Sequence, residues 1–443
     1  MDQGAAAIRW DILEEHLDEA AFLSGLWEKA LVDPDYTLAE VTEGPEERVL
    51  AHLDGLVLGG ARAAERLLVP ALGGDDVDVV RAAAWALLLS EDGDRLDVVL
   101  EALGKAEPDP AAALSRALEL AARDDVPARL APLLARAGPG VRAAVLDVLA
   151  SRGADAAGAL EPFLGAKEAE VRRAALRLAR AVPSRLAPHL LEPVLEGEDP
   201  EERDLAIVAG LVAGSKGAWA ACERVVRDGG PAWELPALLW ALSGEKDLGP
   251  LLSALDDPER AGPGLLALGF SGRIAAAEAA AARLGDESLG RLAGEAFSGI
   301  TGYVIGGASA KAPEAWDPDA PEPEDEEEPA GPEADLPAPD PGPILAWWEK
   351  ARKGFDPAAR LLGGVPWSTE ALLGALESAP MRRRPALALD LAIRTRGAAR
   401  VETRALTRRQ QARLGELRAM PPRARAGAYA EGLGAAAATT RRT

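Results

Sequence analysis

The chain has 443 residues, a net charge of −23, 4% aromatic residues, one cysteine and three histidines. So few aromatic side chains argue against one large globular core, the lone Cys222 excludes an internal disulfide, and no apolar run approaches the roughly twenty residues that span a bilayer. The acidic balance also disfavours nucleic acid as a partner, because neutralising phosphates takes a basic groove.

In chain order, residues 1–58 read as an N-terminal helical cap. The start MDQGAAAIRWDILEEHLDEA is acidic and amphipathic and lacks the basic flank and apolar stretch of a signal peptide, so a cytoplasmic protein is expected. Two histidines sit in one tripeptide, His16-Leu17-Asp18 and His52-Leu53-Asp54. On antiparallel helices His16, Asp18, His52 and Asp54 are the candidate metal ligands of the chain. So short a pattern lacks the specificity of a metal motif, and mutual hydrogen bonding at the end of the fold is the competing expectation.

Residues 59–311 carry a helical phrase that returns about every thirty residues: VRAAAWALL from Val80, VRAAVLDVL from Val141, VRRAALRLA from Val171 and ERDLAIVAGL from Glu202. Arg81, Arg142, Arg172 and Arg203 mark the register, a degenerate copy opens at Pro110, and Trp233, Arg260 and Arg291 continue it. A fixed period of this length is the signature of a solenoid, since one helix pair cannot bury its apolar stripe alone. In the third phrase Val171, Ala174, Ala175, Leu178 and Ala179 share one helical face, with Arg172, Arg173 and Arg177 opposite. Each phrase is expected to be the second helix of a pair. The first helices are DRLDVVLEALG, VPARLAPLLARA, AAGALEPFLG, SRLAPHLLEPVLEG and KDLGPLLSALDD, ended by left-handed glycines at Gly104, Gly138, Gly165, Gly197 and Gly229. The arginines are expected to tie repeats together through Asp78, Glu170 and Glu201, and the row Arg172, Arg173, Arg177 is the candidate partner-binding set. GITGYVIGG from Gly299 lacks a phosphate-loop lysine and reads as the exit from the array.

Residues 312–343 contain twelve Asp or Glu and no Lys or Arg, and their proline-rich composition predicts a disordered acidic linker. Residues 344–443 carry nineteen basic against eight acidic residues, a surplus of 11 positive charges, whereas residues 1–311 carry 30 against 52. The basic end contains one further repeat-like pair, STEALLGALESAPMRRRPALALDLAIRTRG, with Arg383 and Arg384 placed like Arg172 and Arg173, and a final basic helix from Thr403. A single pair is unstable alone, so it should pack on the array or cap it. The last residues, LGAAAATTRRT, should fray.

The VRxAA phrases resemble HEAT-like repeats, most closely the short bacterial type that also occurs in phycobilisome lyases. IRWDILEEHLDEAAFLSGLWEKAL, AHLDGLVLGG, GEAFSGITG and WWEKARKGFDPAARLLGG resemble a proteobacterial family of HEAT-like repeat proteins, without an established activity, often encoded near type VI secretion genes. That resemblance spans nearly the whole chain. It implies an all-α HEAT-like superhelix with a helical cap, a linker and a small helical end, and it carries over no catalytic residue. The expected function is a non-enzymatic scaffold or adaptor for a protein partner, accessory to type VI secretion or its effectors, without a cofactor. The alternative is a lyase-like accessory that handles a prosthetic group. Isolated His189 and a small apolar Cys222 are expected to be structural.

Overall fold

The computed structural model describes residues 8–90, 93–155, 160–230, 232–311 and 333–433. The fold is all-α: about 69% is helix and 2% strand, the strands being the two-residue pieces Leu361–Leu362 and Val365–Pro366 of one hairpin. Most of the predicted linker, residues 312–332, the last residues 434–443 and the first part of AAGALEPFLG, 156–159, lie outside the described residues.

Eight helices carry the repeated register: Val77–Leu89, Pro108–Leu120, Pro139–Arg152, Ala169–Ala181, Pro200–Ala213, Glu234–Ser243, Pro258–Ser271 and Gly290–Thr301. The first five pack in succession, and so do the last three; between them the helix Lys216–Asp228 packs on both neighbours. The stack begins at Trp10–Ala30 and Glu47–Leu58, which lie against each other and against Val77–Leu89. Asp76, Asp199 and Asp257 cap three of the helices by accepting backbone N–H groups, and proline in the first turn starts several more.

The sequence pattern suggests one apolar stripe per helix, but burial runs around the whole helix. Val80 and every residue from Ala82 to Leu88 are buried, and Leu176 is buried beside the expected Val171, Ala174, Ala175, Leu178 and Ala179. These helices form a middle layer, covered on both sides, and alanine permits the close approach. The outer layer is thinner than predicted. VPARLAPLLARA splits into Val126–Leu130 and Leu133–Arg136 around Pro132, and SRLAPHLLEPVLEG yields two 3-10 turns and Glu192–Leu195. Prolines lacking an N–H interrupt each helix before it completes a third turn.

The left-handed glycines also differ from expectation. Of the five predicted, only Gly229 has positive φ; the series is instead Gly153, Gly214, Gly244, Gly272 and Gly302, each closing a middle-layer helix. A Cβ at Gly214 would overlap the Arg396 guanidinium, and one at Gly272 the Leu361 carbonyl. These positions need glycine both for the turn and for the chain that passes over them.

That chain is the C-terminal segment. Residues 333–343, assigned to the linker by composition, are ordered: Leu336 is buried and the helix Pro341–Ala351 begins there. An isolated bridge pairs Ala310 with Pro339, so the two ends of the intervening acidic stretch lie side by side. The segment then runs back along the ends of the middle helices. The Leu361 amide donates to Gly272 O at 2.7 Å, and those of Gly363 and Gly364 to Gly299 O and Ile300 O, both at 2.9 Å. Arg394 donates to Leu242 O at 2.8 Å, Arg396 to Ala213 O at 3.1 Å, Arg400 to Ala150 O at 2.6 Å and Arg409 to Leu120 O at 2.8 Å. The last carbonyls of a helix have no intrahelical partner and carry the negative end of its dipole, so guanidinium groups satisfy them in charge and geometry. Helices Thr369–Ser378, Arg384–Arg394 and Thr407–Ala419 occupy this segment.

The segment also joins the two ends of the stack. Met381 N donates to Tyr36 O at 2.8 Å in the first loop, while Arg382 and Arg383 lie 3.2 and 3.8 Å from the Glu295 carboxylate of the last middle helix.

Candidate functional site

Arginines of the repeats make structural ties. Arg172 grips Glu202 of the next layer at 2.6 Å, Arg173 reaches Asp199 at 2.8 Å and Glu201 at 2.6 Å, and Arg177 pairs with Asp147 of the preceding layer at 2.7 Å. All three candidate partner-binding side chains are thus engaged within the stack. The partners are only partly those expected: Arg81 does bond Asp78, at 2.7 Å, but Arg172 takes Glu202 and Arg203 takes Asp204, at 3.3 Å. Arg142 bonds the Leu134 and Ala137 carbonyls.

A groove of about 920 Å³ opens along the first turns of successive middle helices, lined by Val77, Pro108, Ala112, Pro139, Val141 and Glu170 among others. Its floor holds Arg116, 7% exposed, whose guanidinium meets Glu28 and Glu119, the latter at 2.6 Å, and donates to Arg404 O at 2.6 Å. Burial opposes the charge on Arg116, but the two carboxylates outweigh it and hold its pKa above the ordinary value. This arginine belongs to the degenerate copy that opens at Pro110, which lacks the phrase's own arginine. A second cavity, about 680 Å³, lies where the stack's ends meet, with Pro34, Ser298, Tyr303, Ile305, Leu362 and Ala375 among its walls.

Of the four candidate metal ligands, two come together. His16 Nδ1 and His52 Nδ1 are 3.1 Å apart on the packed helices Trp10–Ala30 and Glu47–Leu58, with ring planes at 75°. Asp18 and Asp54 face solvent on the far sides of the same helices. No cluster of three or more His, Cys, Asp or Glu positioned for a metal occurs among the described residues. The i, i+2 spacing explains this, because it turns two helical side chains about 160° apart around the axis. His189 is exposed on a 3-10 turn. Cys222 is fully buried and donates to Pro236 O at 3.5 Å, and burial pushes its thiol pKa up, which disfavours the thiolate.

The least legible functional residues are the buried charges that fix the C-terminal segment. Glu46, wholly buried in a π-helical turn at Thr42–Glu46, accepts from Trp27 Nε1 at 3.2 Å, Thr407 N at 2.6 Å and Arg408 N at 3.4 Å. It caps the helix Thr407–Ala419 from 361 residues away. Asp390 and Arg394, each 1% exposed in their side chains, pair at 2.7 Å. The Tyr429 hydroxyl donates to Asp390 at 2.7 Å, and burial together with that carboxylate raises the Tyr429 pKa well above its usual value. Arg384, wholly buried, donates to Leu376 O and Gln410 Oε1, and burial lowers its pKa to about 10. For Asp390 and Arg394 the sequence held one signal, a charged pair at i, i+4 inside the apolar run LALDLAIR. For Glu46 it held none.

No protein family matches the chain, and no curated protein does. Among solved structures it is similar to an engineered protein, at 17% identity and a TM-score of 0.30, over 85% of this chain and 98% of that one. It is also similar to human deoxyhypusine hydroxylase in complex with glycerol, at 18% identity and a TM-score of 0.22, over 65% and 95% of the two chains. Neither likeness bears on what this chain does. No helix among the described residues is long and apolar enough to cross a membrane.

Proposed function

We propose that the chain is a HEAT-like superhelix that works as a non-enzymatic, cytoplasmic protein-binding scaffold or adaptor. The observation that carries this reading is the way the stack holds its own C-terminal segment: guanidinium groups and backbone amides of that basic, partly helical segment engage carbonyls along a row of helix ends. A row of helix ends that accepts successive donors from one chain is the kind of repeated surface on which solenoids hold partners. With the helix C-termini taken by the chain itself, the open groove along the opposite, N-terminal turns is the face left for another protein. The family resemblance supplies the setting, a type VI secretion system or its effectors.

Capture of the tagged full chain from native-host lysate, at low and high salt, tests this reading. A stoichiometric protein lost on Ala112→Arg, which places a long charged side chain in the groove, supports it; no stoichiometric protein at either salt refutes it. The second reading, an accessory protein that handles a prosthetic group, draws on the 680 Å³ cavity, a volume in the usual range for small-molecule sites. A coloured or ligand-bearing preparation in place of a protein partner would favour it.

A further inference from the structure

We propose that His16 and His52 form a binding site for a divalent transition-metal ion of the zinc, nickel and copper class. Two metal–nitrogen arms of about 2.0–2.1 Å, at about 90–110°, place their nitrogens roughly 2.8–3.4 Å apart, and the two Nδ1 atoms stand 3.1 Å apart. The site is built rather than casual. The His16 ring is seated on Gly55 of the facing helix, where a Cβ would lie 2.8 Å from Nε2 and 2.9 Å from Cδ2. Both rings are half-buried, so packing holds them in place while solvent still reaches them. The ring planes, 75° apart, are crossed and do not stack.

Neutral imidazole suits this class of ion, whereas magnesium and calcium prefer oxygen ligands. Binding requires the proton of each ring on Nε2. The ring that donates Nδ1–H in the metal-free pair moves that proton to Nε2 through solvent, with no net release, and water completes the coordination.

The test is Zn²⁺ titration of the full chain by calorimetry in excess Mg²⁺, which saturates the surface carboxylates. A single equivalent is expected for the wild type and for His189→Gln, and loss of that binding for His16→Gln and for His52→Gln. Gly55→Ala, which displaces the His16 ring without removing a ligand, should weaken it. Melting of the metal-free variants reports whether they fold. If either glutamine variant does not, the Cu²⁺ paramagnetic resonance spectrum of the wild type decides: two coupled imidazole nitrogens support the site, and one or none overturns it. Undiminished binding in both glutamine variants, or no Zn²⁺ uptake by the wild type above Mg²⁺, likewise overturns it.

Discussion

Glu46→Ala should be among the most damaging single changes, although Glu46 belongs to no repeat. Its carboxylate satisfies the Trp27 indole N–H and the Thr407 amide through one oxygen and meets the Arg408 amide, more distantly, with the other. A buried donor stripped of its acceptor costs about 1–3 kcal/mol, so the indole and the first amide together lose about 2–6 kcal/mol. Relief from burying an ion returns part of this, leaving a net loss of about 2–4 kcal/mol. Glu46→Gln keeps an acceptor where the indole and Thr407 converge and loses only the longer bond, since its NH2 cannot accept from the Arg408 N–H, so it should cost only about 1 kcal/mol. Urea unfolding followed by tryptophan fluorescence reads both variants, and Trp27 itself reports on the site. A loss under about 0.5 kcal/mol for Glu46→Ala, a size typical of unremarkable surface changes, would refute the reasoning.

Three further outcomes follow from the packing and charges. Leu178→Asp places a carboxylate at a fully buried middle-layer position and should cost at least about 3–5 kcal/mol; an unchanged melting temperature would remove that helix from the core. Arg177→Glu breaks an ion pair with Asp147 whose members are 36% and 31% exposed, so thermal melting should fall by no more than about 1 kcal/mol in stability, and a larger loss would show that the ties between layers carry the stack. Burial raises the Asp204 pKa from 3.8 to about 6, against the pull of Arg203. The folded carboxyl therefore keeps a proton that the unfolded one has already lost, and this contribution to stability declines as pH rises from about 4 through 6. Asp204→Asn should accordingly raise the melting temperature at pH 8, where the carboxylate is charged and buried, and leave it nearly unchanged at pH 4; an equal effect at both would contradict the assignment.

The middle layer was legible because its burial repeats: an alanine-rich phrase returning every thirty residues can only be a helix packed on copies of itself. The outer layer was less so, since Pro132, Pro188 and Pro193 cut it where apolar spacing alone suggested whole helices. Five left-handed glycines close middle-layer helices in place of all the predicted ones but Gly229, because what selects them is the passage of the C-terminal chain, a contact between residues far apart in the sequence. For that chain the advance notice was the charge partition, a basic end behind an acidic stack, together with one repeat-like helix pair that could not stand alone. Composition could not show that its arginines seek helix carbonyls as well as carboxylates. For the histidine pair the repeated tripeptide marked the two rings, and the helical turn separated the aspartates from them.

The stack is closed by its own C-terminal segment, and hydrogen exchange of the unmodified full chain reads that docking amide by amide. The amides of Leu361, Gly363, Gly364 and Thr407 donate to Gly272 O, Gly299 O, Ile300 O and Glu46, bonds that exist only if the segment is docked. They should exchange as slowly as amides within the middle helices. Exchange of these four at the free-peptide rate, while the middle helices stay protected, would mean that the segment is detached and does not close the stack.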